Sequence, residues 1–284
     1  MEMEKMEQTI YVEIDRYTDF LHENEKASGT IEKYIRDIHS FIGWIGRETL
    51  CKEKVIEWKE SLVESEYKPT TINSMLSSLN SFFNFIGKTD CCVKLLKIQR
   101  KLYRSKEKEL TKDEYLRLVK AAEDKDNERM VLLLETICAT GIRVSEVKYI
   151  TAEAAEHGIA EISLKGKIRT IILPGKLCRK LRKYAGKRKI ASGKIFLTGS
   201  GKAMNRKQIW ASMKALCKAA KVDSRKVFPH NLRHLFARTF YKVCRDIVKL
   251  ANILGHSSIE TTRIYLVTTT SEDAKQLELL GLVS

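Results

Sequence analysis

The feature that most restricts this chain is a helical apolar spacing that occurs twice within its first hundred residues. Ile31, Tyr34, Ile35, Ile38, Phe41, Ile42 and Ile45 stand at offsets 0, 3, 4, 7, 10, 11 and 14, and Ile72, Met75, Leu76, Leu79, Phe82, Phe83 and Ile86 repeat those offsets. At 3.6 residues per turn each set falls on one side of a helix, and stripes that wide are buried only against other helices. Ser28 or Thr30 is suited to cap the first helix and Thr70 or Thr71 the second, because a side-chain oxygen there accepts from an orphaned N–H. Shorter amphipathic stretches over 17–21 and 55–62 complete a bundle of about four helices joined by short loops. The aromatic residues of both stripes are assigned to its core.

Residues 97–108 (KIQRKLYRSKEK) carry few apolar side chains and form a basic linker between an N-terminal helical domain, residues 1–96, and a second domain, residues 109–284. Thr111 and Glu114 make a T-x-x-E capping box that opens the second domain. Met130, Leu133, Leu134 and Ile137 keep the helical period until Gly141 stops it. The period then changes. Residues 161–164 and 169–173 are short β-branched or apolar runs joined through Lys165, Gly166 and Lys167, which predicts a β-hairpin closed by Pro174. A third strand is expected over 194–197. The remainder returns to helix, so the expected fold is mainly α with a small antiparallel β-sheet.

Charge divides the chain at the same place. Residues 1–100 hold 14 Lys/Arg against 17 Asp/Glu, whereas residues 101–284 hold 38 against 19. Residues 161–250 have 25 basic side chains and three acidic ones, Glu161, Asp223 and Asp246. A short lysine run is an ordinary solvated face, but ninety residues with so little compensating acid repel one another and need a reason. A polyanionic partner supplies it, and nucleic acid is preferred to membrane because no amphipathic anchor or lipidation motif accompanies the charge. The seven cysteines include no C-x-x-C pair, the first residues are acidic where a signal peptide needs positive charge, and no run approaches ~18 apolar residues. A cytoplasmic protein is therefore expected.

Three motifs fail on inspection. Gly199-Ser200-Gly201-Lys202 resembles a phosphate loop, but Phe196 stands where the first glycine belongs and Ala203 replaces the metal-binding hydroxyl. His230 and His234 have the spacing of a zinc-protease helix, but Asn231 occupies the position of its glutamate. Cys91-Cys92 is assigned as a pair of buried thiols. What remains is cationic, imidazole and phenolic: Gly141-Ile142-Arg143-Val144-Ser145-Glu146, His230-Asn231-Leu232-Arg233-His234, Leu254-Gly255-His256-Ser257 and Thr261-Thr262-Arg263-Ile264-Tyr265. His230 and Arg233 lie one turn apart and share a helix face. His234 is assigned a structural role, as a partly buried helix histidine.

In these motifs the sequence resembles the tyrosine recombinase (phage integrase) family, and within it the Xer-like and mobile-element integrases. G-x-R-x-S-E, a hairpin lysine in K-G-K, H-x-L-R-H, L-G-H-S and a tyrosine nine residues after that histidine occur in the family's order. Each has a duller reading alone, as an ion pair, a helix start or a cap, but none of these accounts for the shared order. The resemblance implies an all-α, SAM-like core-binding domain, a catalytic α+β domain and a clamp of the two on duplex DNA. It implies Arg143, Lys165, His230, Arg233 and His256 as catalytic groups, Tyr265 as the nucleophile, and no metal or other cofactor. Family members often read G-K-G-N-K-E-R at the hairpin, where this chain has Leu164 for the first glycine and one residue fewer before Arg169. Both Lys165 and Lys167 thus remain open as the catalytic lysine, and the glycine after Lys165 favours the former.

The chemistry of these groups agrees with that implication. In-line attack on a phosphodiester builds negative charge on the non-bridging oxygens, which two guanidinium forks grip bidentately at any working pH. Glu146 is expected to orient Arg143 or a histidine, and Lys167 and Arg169 to contact backbone phosphates. A homotetramer on double-stranded DNA is implied, with or without a second recombinase or accessory factor, and residues 271–284 are an expected tail that docks on a neighbouring subunit. A type IB topoisomerase-like enzyme or resolvase with the same chemistry, and a catalytically idle DNA-binding regulator, are the alternatives.

Overall fold

The structure, a computed structural model, describes residues 2–98, 106–164, 167–263 and 265. The chain divides into two compact units, Met1–Arg100 and Lys101–Ser284.

The first unit is built from α1 (Glu2–Glu23), α2 (Ser28–Ile45), α3 (Lys52–Glu64) and α4 (Pro69–Phe85). The two apolar stripes become the inner faces of α2 and α4, and Ile38, Phe41, Leu76, Leu79, Phe82 and Phe83 are buried with Tyr17, Leu21 and Trp58. The aromatic residues interlock edge to face, Phe41 against Trp58 at 5.2 Å between ring centroids and Tyr17 against Phe82 at 5.4 Å. The expected side-chain caps do not form. Ala27 and Lys68 hold the N-cap positions, which places Ser28, Thr30, Thr70 and Thr71 inside the first helical turns. For α4 the reason is Pro69, whose fixed φ starts a helix and whose missing N–H needs no partner there.

Two polar devices complete this unit. Asp37 of α2, buried, accepts from Lys33 Nζ and from Ser78 Oγ of α4 at 2.9 Å, so a charged group is paired where it crosses the helix interface. Asn73 and Asn80, two turns apart on α4, clamp the exit of the chain. Asn80 accepts from Val93 N at 3.1 Å and donates to Val93 O at 2.9 Å, and Asn73 does the same for Leu96 at 2.7 and 2.9 Å.

The second unit opens on the anticipated capping box. Glu114 N donates to Thr111 Oγ1 at 3.1 Å and Thr111 N to Glu114 Oε2 at 2.8 Å, starting α5 (Lys112–Glu123). α6 (Glu128–Thr140) buries Met130, Leu132, Leu133, Leu134 and Ile137, apolar around most of its girth. Such a helix belongs at the centre of a core. A 3₁₀ turn (Val144–Tyr149) and α7 (Ala152–His157) lead to the hairpin, β1 (Ile159–Leu164) and β2 (Lys167–Ile172). The strands pair antiparallel with Ile159 opposite Ile172 and Leu164 opposite Lys167, so Lys167 begins β2 and does not lie in the turn. Then come α8 (Gly175–Lys187), α9 (Arg206–Lys214), α10 (Cys217–Ala220), α11 (Pro229–Cys244), α12 (Ile247–Leu254) and α13 (Ile259–Arg263). The third strand expected at 194–197 is absent among the described residues. Lys194 bridges back to Thr151 while Leu197 bridges forward to Ala203, so each end of the segment finds a different partner and no ladder develops.

α6 packs against α5, α8 and α11. Its approach to α11 depends on Gly141, which ends α6 at φ +64° and faces the Phe236 ring so closely that a Cβ would collide with it. Gly141→Ala therefore combines a left-handed backbone penalty with overpacking, and is expected to cost ~2–4 kcal/mol of stability. Urea unfolding of the full chain measures this, and a loss below about 0.5 kcal/mol contradicts it.

Candidate active site

The site grows from three chain segments that end or turn at one point. α6 stops at Gly141, and two residues later Arg143 is extended at the head of the 3₁₀ turn. Glu146, one turn on, accepts from Arg143 N at 2.7 Å and from Arg143 Nη1 at 2.9 Å, so main chain and guanidinium are fixed by the same carboxylate. β2 brings a second arginine to it: Arg169 Nη2 lies 3.0 Å from Glu146 Oε2. Glu146 is 3% exposed. It thus touches two arginines.

The third segment is the end of α12. Its last carbonyls have no partner within the helix and carry the negative end of the helix dipole. Three guanidinium groups converge on them. Arg233 Nη2 donates to Leu254 O at 2.7 Å, Arg169 Nη1 donates to the same oxygen, and Arg143 Nη2 reaches Gly255 O at 3.3 Å. Arg233 Nη1 also donates to Gly141 O, closing the end of α6. Gly255 is at φ +62°, and a Cβ there would enter the Arg169 guanidinium. Burial draws Arg169 down to about 10 and lowers Arg233 from the ordinary arginine value, so at neutral pH Arg169 keeps its charge. With Arg143, the cluster sets three guanidinium groups against one carboxylate, an environment made for a further anion.

Tyr265, 3% exposed, sits among three imidazoles. Its ring centroid is 4.3 Å from His234, 5.5 Å from His256 and 5.9 Å from His230. The His256 ring lies almost parallel to it, at 11°. The Tyr265 hydroxyl lies close enough to the Arg233 guanidinium to favour its charged form. His256 Nε2 lies 2.9 Å from Arg233 Nη2 and its Nδ1 lies 2.8 Å from Thr262 Oγ1. A guanidinium only donates, so Nε2 accepts and the ring proton belongs on Nδ1.

The structure gathers Arg143, Glu146, Arg169, Arg233, His230, His256 and Tyr265 at one place. Arg143 is open to solvent while Arg233 is 2% exposed. Arg169, expected on backbone phosphates, is turned inward onto Glu146 and Leu254. His256 accepts from Arg233. His234, expected as a partly buried helix histidine with a structural role, is fully buried and packs against the phenol ring. Thr262 was missed altogether; its signal was the T-T-R-I-Y run. Lys165 lies outside the described residues, as do 99–105 of the expected linker and the tail 271–284, and of Lys167 only the main chain is described.

Residues 108–272 match the phage integrase family and residues 14–88 match the phage integrase N-terminal SAM-like domain. The chain belongs to the phage integrase family, and the proteins it is similar to in sequence include Xer tyrosine recombinases. It is 36% identical over 138 residues to tyrosine recombinase XerC of Neisseria meningitidis serogroup C, covering 47% of this chain and 45% of the relative. To tyrosine recombinase XerA of Pyrococcus furiosus it is 30% identical over 184 residues, 62% of this chain and 63% of the relative. The chain thus spans between about half and just under two thirds of these relatives' lengths. A lambda integrase tetramer bound to a Holliday junction shares the fold, at TM-score 0.73 and 18% identity over 90% of this chain and 76% of that one. No helix among the described residues is long and apolar enough to cross a membrane.

Burial, then the charges of Arg233, Arg143 and Arg169, push His256 down to about 4. Its ring should stay neutral from pH 8 to pH 5, where a free histidine titrates near 6.5. Between about pH 4 and 6.5 the unfolded chain then binds more protons at this residue, so its contribution makes stability rise with pH through that window and level above it. An NMR titration of the His256 ring nitrogens checks this, and a midpoint near 6.5 contradicts it.

Proposed function

We propose that the chain is a site-specific DNA recombinase, which cleaves and rejoins strands through a 3′-phosphotyrosyl intermediate. The observation that carries this reading is the Tyr265 hydroxyl beside the Arg233 guanidinium, within a ring of histidines, in a chain of the integrase family. The Tyr265 oxygen attacks phosphorus in line with the 5′ oxygen, which leaves. The phenol proton passes to His230, the exposed imidazole of the three, and Lys165 of the hairpin protonates the leaving oxygen. The P–O bond to tyrosine replaces the P–O bond to the 5′ carbon, so no outside energy source is needed, and attack by another 5′ hydroxyl reverses the step.

Charge on the non-bridging oxygens is met by Arg143, whose exposed fork is already aimed by Glu146, and by Arg233. With Nε2 accepting from Arg233, His256 donates to phosphate only after taking up a proton. An arriving phosphodiester anion favours that uptake, since a nearby negative charge raises an imidazole's pKa. The second unit is the catalytic domain and the first the core-binding domain. The basic surface of 161–250 supplies most of the affinity by displacing counterions, and four protomers assemble on two duplexes.

A suicide DNA substrate should trap a covalent adduct with the wild-type chain. Tyr265→Phe should abolish the adduct with DNA affinity retained, and attachment through another side chain overturns the assignment. Arg143→Lys should slow single-turnover cleavage ~100–1,000-fold, because an ammonium cannot reproduce the fork. Binding should weaken as a straight line in log salt concentration, more steeply for residues 101–284 than for 1–100 within the intact chain, as read by charge-reversal variants in each.

A further inference from the structure

One side chain joins the imidazole at the arginine cluster to the segment that carries the phenol. Thr262 is wholly buried, in the five-residue helix α13. Its Oγ1 is 2.8 Å from His256 Nδ1, and its carbonyl accepts from Tyr265 N at 3.0 Å. The donor and acceptor inventory leaves little freedom here. Arg233 donates to His256 Nε2, so the neutral imidazole carries its proton on Nδ1, and the Thr262 oxygen is the acceptor that proton meets. An apolar residue of the same shape would leave a buried Nδ1–H unpaired, at a desolvation cost that the other tautomer avoids. That other tautomer puts a proton on Nε2, directly against the Arg233 N–H.

We propose that Thr262 is a positioning residue, whose hydroxyl holds His256 in the Nδ1–H tautomer facing Arg233 and so registers the Tyr265 turn to the arginine cluster. The side chain sets the imidazole and the main chain sets the phenol, one turn apart, so a shift of α13 is transmitted to both. The stacked geometry of the His256 and Tyr265 rings is the visible result of this double tie. The inference rests on the recombinase reading for its catalytic readout, but not for its spectroscopic one.

The test compares Thr262→Val, which keeps the shape and loses the oxygen, with Thr262→Ser, which keeps the oxygen. In the full-length chain with ¹⁵N-labelled histidine, the wild type and Thr262→Ser should show His256 protonated on Nδ1, and Thr262→Val should lose that signature. Single-turnover cleavage of the suicide substrate should fall roughly 10–100-fold in Thr262→Val, the usual scale for removing a group that orients a functional imidazole, with DNA affinity unchanged. Thr262→Ser should recover most of the rate. An Nε2 proton in the wild type, a wild-type cleavage rate in Thr262→Val, or equal loss in Val and Ser variants overturns the proposal. Absence of any adduct in the wild type removes the recombinase reading instead, and the ring-nitrogen spectra of the Val and Ser variants then decide the Thr262 assignment alone. Should Thr262→Val fail to fold, Thr262→Ala supplies the same spectra and rates.

Discussion

The second unit depends on one buried guanidinium. Arg233 caps the carbonyl ends of two helices at once, α6 through Gly141 and α12 through Leu254. Removing a charge from water costs several kcal/mol even after relaxation, and here that cost is offset by oxygens which would themselves be orphaned at helix termini. The arrangement is therefore not an ion pair added to a finished core. It is the means by which two helices end against each other, and the position of the cation follows from the packing. A cation fixed this way needs no reorganisation when charge develops beside it, which is the condition under which electrostatic stabilisation of a transition state is largest.

Glu146 solves the complementary problem. Three guanidinium groups around one turn repel one another, and a site with no acid would splay. A single carboxylate, placed between Arg143 and Arg169, holds both by 2.9 and 3.0 Å contacts and leaves the cluster positive. A second would neutralise it. The same economy appears across residues 161–250, where two of the three acids serve local structure: Asp246 caps α12 through Lys249 N and Asp223 accepts from Arg225 N. The excess charge is thus left for a partner while the fold keeps its caps.

Elements announced by a period or a cap were legible in the sequence. Both stripes of the first unit, the Thr111–Glu114 box, the end of α6 at Gly141 and the hairpin rest on local rules that tertiary context did not override. The caps expected at Ser28 or Thr30 and at Thr70 or Thr71 were misplaced because each helix starts earlier, at Ser28 after Ala27 and at Pro69 after Lys68, and for α4 the proline decides that start. The strand at 194–197 failed because a β run needs a neighbour along its length, and no local pattern reveals whether one exists. In the site, the motif residues were identified but not their mutual roles. Arg169 looks like any basic hairpin residue until Gly255, lacking a Cβ, is seen to admit its guanidinium. His234 and Thr262 acquire meaning only through Tyr265 and His256, which are thirty-one and six residues away in the chain.

The placement of Tyr265 has an energetic consequence. It does not belong to the main core of the second unit but to a small satellite cluster with Ala237, Leu250 and Leu254, flanked by Phe236, Phe240 and Tyr241. α13, which precedes it, has five residues, far below the length at which a helix is stable by itself. Tyr265 is thus held by a few apolar contacts, one main-chain hydrogen bond to Thr262 and the stacking on His256, whereas Arg143 and Arg169 are tied to Glu146 and Arg233 to the carbonyl ends of α6 and α12. Local opening scales with the contacts broken, so the phenol can withdraw from the cluster at much less cost than unfolding the domain. The recombination proposed above, in which a covalent product is held while strands change partners, is served by that asymmetry: an electrostatic cradle that stays fixed and a phenol that leaves it at little cost.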